Sequence, residues 1–322
     1  MALKTAVCRL LNIDYPIILA GMPWVSNAEL AAAVSEAGGL GVVSPSAGMP
    51  YRGDLGTNLV RQVRKARSLT QRPIGVSIFL GLRNAQDLLK AAVKEGVRVF
   101  ITAGPNLPLY TGFLKGEEAK VLHIVASVHH ARAAEAAGVD GVIAQGIEAG
   151  GFVAPEAVPT FALLPQVVDA VEVAVLASGG IAEGRGMAAA LSLGAQGVYV
   201  GTRFIATDEC IAHPRYKEAL VSAVDTGTLL LSKGRLLLRV LKTEGTLKQQ
   251  REVSAARAVQ GKEPWERYFL SKEVRAAHLE GDLVKGLAYA GAAAGLVNDI
   301  LPAKEVVARM VKGAEEVLKR LA

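Results

Sequence analysis

Glycines placed directly behind short apolar runs are the first sign of chemistry in this chain. Ser178-Gly179-Gly180-Ile181 closes the run Val173–Ser178, and Gly201-Thr202-Arg203 follows Gly197–Val200. Glycine lets backbone N–H groups approach an anion closely, and the positive end of a helix starting there adds attraction. The two stretches together point to a bound phosphate. A third stretch, Gln145-Gly146-Ile147-Glu148-Ala149-Gly150-Gly151-Phe152, follows Gly141–Gln145. Gln145 offers a donor and an acceptor to the edge of a heterocycle. Gly150 and Gly151 let the backbone pass beside a flat ring.

The elements that must position these residues form a repeat. Eight short apolar runs can be counted: Tyr15–Ala20, Leu40–Ser44, Ile74–Phe79, Val97–Thr102, Val121–Val125, Gly141–Gln145, Val173–Ser178 and Gly197–Val200. Most are rich in Val, Ile or Leu, as strands buried on both faces are. Helical patterns lie between them, such as Asn27–Ala37, Asn58–Ser68, Ala85–Glu95 and His129–Ala137. Ser26 and Glu29 have capping-box spacing at the first helix. Gly38 and Gly138 stand where helices end. Eight strand–helix units in a row predict an α/β fold of the closed (β/α)8 TIM-barrel type. The alternative, an open doubly wound sheet, would carry a G-x-G-x-x-G turn after its first strand. The chain has Gly21-Met22-Pro23-Trp24 there instead. In a barrel the site lies at the C-terminal ends of the strands, with phosphate on loops seven and eight, where the glycine pairs stand. Residues 207–290 are charge-rich and lack strand alternation. They are expected to form a helical cap on a barrel made of residues 1–206 and 291–322, closed by an amphipathic helix, Pro302–Leu321.

Of the 322 residues, 51% are hydrophobic and 20% charged, which suits a folded protein with a large core. The net charge of +6 is spread out. It suits an anionic ligand, and with no basic stripe interleaved with aromatics it argues against nucleic-acid binding. Cys8 and Cys210 show neither metal nor redox spacing, which favours a reducing compartment. Lys4 and Arg9 interrupt any signal-like apolar segment, and no run is long enough to span a bilayer. A cytoplasmic location without membrane attachment is therefore expected.

The motifs resemble the nitronate monooxygenase family (2-nitropropane dioxygenases) and its relatives, the type II enoyl-acyl-carrier-protein reductases. The resemblance rests on Gly21-Met22-Pro23-Trp24-Val25-Ser26 through Gly38-Gly39-Leu40-Gly41, on Gly75-Val76-Ser77-Ile78, and on Ala144-Gln145-Gly146 through Gly151. It continues with Ser178-Gly179-Gly180-Ile181 through Gly201-Thr202-Arg203-Phe204 and, more weakly, Gly295-Leu296-Val297-Asn298-Asp299-Ile300. It implies FMN, with the phosphate on Gly179, Gly180, Gly201 and Thr202. Gln145 and Gly150 would lie by the flavin, and Ala20, Gly21 and Met22 would meet it from the first strand. Trp24 and Phe152 would line the substrate pocket. Two positions depart from the family. Ser77 stands where Asn is usual, and Phe152 stands where a histidine serves as base. Phenylalanine cannot accept a proton. His129, after the fifth strand, is either a replacement base, kept neutral by the helix N-terminus, or a surface residue. His123 has the place of a core residue, and His213 of a helix entry.

Three functions are compatible with these residues. The first is oxidation of nitronates with O2, which needs no base because the substrate is already an anion. The second is NAD(P)H-dependent hydride transfer through FMN to an enoyl-acyl carrier or a quinone. Thr102-Ala103-Gly104-Pro105-Asn106 resembles the reductase branch, and a basic surface suits an acidic acyl carrier protein. The third is a phosphate-ligand barrel with no redox role. A homodimer is compatible with each.

Overall fold

The computed structural model describes residues 3–233, 236–255 and 270–321. Eight parallel strands surround the core: β1 (Ile17–Leu19), β2 (Gly41–Val43), β3 (Ile74–Phe79), β4 (Val99–Ala103), β5 (Lys120–Val125), β6 (Gly141–Gln145), β8 (Ala174–Ser178) and β9 (Gly197–Val200). They form one sheet in the order β1-β9-β8-β6-β5-β4-β3-β2. A parallel bridge from Ile18 to Leu40 closes β1 onto β2, with Leu40 N–H donating to Ile17 O at 2.9 Å. The fold is the (β/α)8 barrel. Its strands are almost wholly buried because helices cover the sheet outside and side chains fill it inside. Glycine at position 41 has a steric reason. A Cβ there would lie 1.7 Å from Ala31 O, so helix Ala28–Glu36 can sit this close to β2 only over a bare backbone.

The ring of helices closes as the sequence suggests. Helix Ala303–Leu321 crosses helix Gly184–Ser192, where a Cβ on Gly184 would meet Ala314 N at 2.4 Å. The capping box at Ser26 does not form. Asn27 is the N-cap of helix Ala28–Glu36, without a side-chain cap bond. The Ser26 hydroxyl instead donates to Ala20 O and accepts from Met22 N–H, both at 2.9 Å. It braces the loop after β1, and that local competition removes it from the helix.

The excursion contains helices, Pro214–Val221, Glu244–Ala255 and Lys272–Glu280. It also contains two strands, which corrects the expectation of a purely helical cap. Strands β10 (Thr228–Lys233) and β11 (Leu236–Leu241) pair antiparallel, and β11 pairs antiparallel with β7 (Gly151–Val153). The reason is non-local: β7 leaves the loop behind β6 with open backbone groups, and β11 satisfies them. The part of the expected helical cap at residues 256–269 lies outside the described residues. Among the described residues, no helix is long and apolar enough to cross a membrane, and no cluster of three or more His, Cys, Asp or Glu is suited to a metal. Cys8 and Cys210 are buried thiols, and burial pushes Cys210 up to about 11.

Candidate active site

The C-terminal ends of the strands converge on one cleft. Ala20, Gly21 and Met22 enter from β1, Ser77 from β3 and Gln145 from β6. Gly150 and Phe152 come from the loop behind β6, Gly179 and Gly180 from behind β8, and Gly201 and Thr202 from behind β9. All of these expected site residues are brought together. The cleft floor is tightly built. A Cβ on Gly21 would lie 2.1 Å from Ser77 Cβ, and Gly21 N–H donates to the Tyr199 hydroxyl at 2.8 Å. Burial pushes the Tyr199 phenol up to about 12, so it stays neutral.

At one end of the cleft the backbone takes a form that glycine permits. Gly179 and Gly180 have φ of +101° and +74° in succession. A Cβ on Gly179 would approach Ala149 N at 3.0 Å, so loop six and the loop behind β8 touch backbone to backbone. Glu148 fastens them. Its carboxylate accepts from Thr160 N–H at 2.9 Å and from the Thr160 hydroxyl at 2.8 Å. The return from the excursion adds a third side: Gly291 N–H donates to Thr202 Oγ1 at 2.9 Å and Ala292 N–H to Glu148 O at 2.8 Å. These contacts gather Gly179, Gly180, Gly201 and Thr202 into one cradle of backbone and hydroxyl groups, an arrangement that can accept an anion.

One wall of the cleft is apolar and aromatic, and sequence reasoning found only part of it. Phe152 faces the cleft from β7, paired with Leu238 of β11. Its ring meets Tyr289 edge-on at 5.9 Å. His278 and Tyr216 complete this wall, stacked at 4.8 Å. His278, Tyr289 and Tyr216 all lie in the excursion and carry no motif. The Gly295-Leu296-Val297 similarity just beyond Tyr289-Ala290-Gly291 is the signal that could have drawn attention there.

Two expected residues are elsewhere. Trp24 does not line the cleft. Its φ of +71° turns the indole into the core, where it is fully buried, while its neighbours Pro23 and Val25 face the cleft. His129 is not at the cleft either. Ser127 caps the helix Val128–Ala136 directly after β5, accepting from His130 N–H at 3.2 Å, and His129 is exposed on its first turn. His123 is a core residue, hydrogen-bonded to Thr102 Oγ1 at 2.8 Å, and His213 caps helix Pro214–Val221.

The buried histidine of the cleft is fully engaged. His278 Nε2 accepts from Tyr289 N–H at 3.1 Å, which puts the ring proton on Nδ1, where it donates to Pro23 O at 3.2 Å. Burial depresses its pKa to about 4, and that of His123 likewise to about 4. The folded values lie below the unfolded one, so the unfolded chain takes up protons first. Stability is full above about pH 6.5 and falls as pH drops towards 4, by about 3 kcal/mol for each group at most. Melting temperature is expected to decline already between pH 6.5 and 5, above the carboxylate range. A flat profile over that window would contradict the buried, neutral state of both rings.

The profile of the nitronate monooxygenase family matches residues 4–313. The chain belongs to the nitronate monooxygenase family. It is therefore an oxidoreductase enzyme of a flavin-dependent family. Among solved structures, FabK from Thermotoga maritima superimposes with a TM-score of 0.88 at 38% identity, covering 99% of this chain and 98% of that one. A relative from Rhodococcus jostii, a 5-hydroxy-7a-methyl-1-oxo-octahydro-1H-indene-4-carboxyl-CoA dehydrogenase, is 30% identical over 97% of this chain and 96% of its own length. A probable nitronate monooxygenase of Staphylococcus saprophyticus is 34% identical, over 71% of this chain and 76% of its own length.

Proposed function

We propose that this family member binds FMN and uses it to move a hydride between a nicotinamide and an acyl thioester carried by coenzyme A or an acyl carrier protein. The cradle supports FMN: four residues at the ends of β8 and β9 suit one phosphate group, and Gly21 and Gly150, which line the cleft, add no side chain beside a flat ring. When bound, FMN supplies an acceptor and donor of a hydride. Gln145 faces the cleft to meet the ring's polar edge.

The observation that carries the substrate reading is Phe152 in the wall. Proton abstraction from a neutral nitroalkane needs a base, and among the described residues the carboxylate and the imidazole that line this cleft are not free to act as one. Glu148 is held by Thr160, and the single acceptor nitrogen of His278 is held by Tyr289. Hydride transfer to an activated double bond needs no such base: the hydride from reduced flavin adds to the carbon far from the thioester, and the enolate so formed takes its proton at the near carbon from water. An apolar wall of Phe79, Leu82, Ile124 and Leu270 suits an acyl chain. The carboxyl-CoA dehydrogenase relative aligned nearly end to end supports the thioester class, and the charge of +6 suits a phosphorylated carrier.

Anaerobic stopped-flow tests this reading. NADH or NADPH is expected to bleach the flavin, and an enoyl thioester such as crotonyl-CoA to restore it. The second reading, oxidation of pre-formed nitronates, is favoured by the Staphylococcus relative and tolerates Phe152. It replaces the first if neither nicotinamide reduces the flavin while a nitronate drives O2 uptake.

A further inference from the structure

The cradle carries a carboxylate where a phosphate is to bind. Among the described residues that line the cleft there is one carboxylate, Glu148, and no lysine or arginine. Glu148 stands beside the second glycine of the cradle: a Cβ on Gly180 would find Glu148 Cβ at 3.7 Å and Cγ at 3.9 Å. A phosphate monoester brings about −1.5 to −2 charges at neutral pH. Backbone N–H groups attract it with partial charges, whereas Glu148 opposes it with a full one. His278, kept neutral by burial, adds no positive charge. Arg203 follows Thr202, but its guanidinium donates to Asp299 Oδ1 at 2.8 Å, and Arg185 is paired with Glu183. The compensating charge has to act from behind the cleft lining.

Arg239 stands there. The register of β11 sets it opposite Gly151, the first residue of β7. Its Nε donates to Ile147 O at 2.9 Å, the carbonyl joined to the Glu148 amide. Its Nη1 donates to Thr228 Oγ1 at 3.2 Å, which fixes the guanidinium across β10 and β11. Both acceptors are neutral, so neither bond cancels the positive charge. Burial pulls the guanidinium's pKa down while the Glu148 carboxylate acts to raise it, and an arginine so placed stays protonated.

From this arrangement we infer that Arg239 is a positioning residue of the phosphate site, which holds loop six through Ile147 and offsets the charge of Glu148 so that the cradle accepts a phosphate dianion. The inference rests on the FMN reading above. It accounts for the presence of a carboxylate in an anion site. Glu148 is needed to tie loop six to Thr160, with bonds of 2.9 and 2.8 Å, and Arg239 removes the electrostatic penalty of that tie.

The test compares FMN with riboflavin, the same ring system without the phosphate, on the full chain stripped of flavin. Quenching of flavin fluorescence at low ionic strength gives both dissociation constants. Any loosening of loop six weakens both flavins, and their ratio isolates the charge. Wild type is expected to prefer FMN strongly. Arg239→Met is expected to lower that preference about 10-fold, the order expected of one unit charge acting at the effective dielectric of a protein. Arg239→Lys, which keeps the charge but not the planar fork, is expected to stay within about threefold of wild type. Glu148→Gln removes the opposing charge and is expected to raise the preference by a factor of about 10. If Arg239→Met weakens both flavins equally, Arg239 is only a brace and the inference is wrong. It is equally wrong if Arg239→Lys loses as much preference as Arg239→Met. An unchanged preference in Glu148→Gln overturns it without reference to any Arg239 variant. If wild type holds riboflavin as tightly as FMN, the phosphate reading of the cradle fails and takes the inference with it.

Discussion

Replacing Gly180 with Asp is expected to yield colourless protein. Gly180 lies in the cradle, and the nearest atom to a Cβ there is Glu148 Cβ at 3.7 Å, so a small side chain has room. Its effect would therefore be electrostatic rather than steric. A carboxylate about 4 Å from a phosphate charge costs about 4 kcal/mol at the effective dielectric of a protein surface, or about a thousandfold in affinity. Because φ is +74°, any side chain also adds strain of about 1–2 kcal/mol. Gly180→Ala separates the two effects, since it carries the strain without the charge. The measurement is flavin absorbance relative to protein after desalting. Full occupancy in Gly180→Asp would move the phosphate elsewhere, and equal loss in Gly180→Ala would make strain the cause.

Phe152→His is the second large effect. The side chain at 152 is placed by β7, whose register with β11 sets Phe152 opposite Leu238. An imidazole would be held on the same wall by the same strand pairing. A well-placed general base contributes about 10²–10⁴-fold. On the nitronate reading, oxidation of neutral nitroethane is expected to rise by that order in Phe152→His, while oxidation of pre-formed ethyl nitronate changes little, because only the first must lose a proton. Oxygen uptake with both substrates on both proteins decides it. A parallel rise on both would mean that residue 152 acts through binding, not proton transfer. His129→Ala is expected to leave all four rates unchanged, since His129 is exposed on its helix away from the cleft. If wild type uses nitroethane efficiently and His129→Ala abolishes that use, proton chemistry has moved to His129.

The barrel was legible because its strands are buried on both faces, which writes them as short Val- and Ile-rich runs that need no partner to be recognised. The cradle was legible for a related reason: backbone that must approach an anion requires glycine, and Gly179-Gly180 sits where the strand ends. What could not be seen is what depends on chain segments meeting. Leu229-Leu230-Leu231 and Leu236-Leu237-Leu238 alternate no more than a helix would, and leucine favours helix; pairing with β7 decides in favour of strand. His278 and Tyr289 have no motif, and reach the cleft because the chain returns across it. Trp24 was misplaced because one positive φ reverses the direction of its side chain, and sequence spacing carries no sign of that.

The pairing of β7 with β11 also orders events in time. All eight barrel strands have been synthesised by Val200, yet one wall of the pocket waits for Leu236–Leu241, and the cradle waits for Gly291 and Ala292. A chain emerging from the ribosome can close its barrel while its pocket is still open on the side of Phe152. Contacts of such long sequence separation form late, because their loop-closure entropy must be met first. Completion of the pocket is thereby tied to the end of synthesis: a little over the last quarter of the chain acts as a clasp, and a polypeptide cut short before it would hold all eight strands with the Phe152 side of the cleft still open.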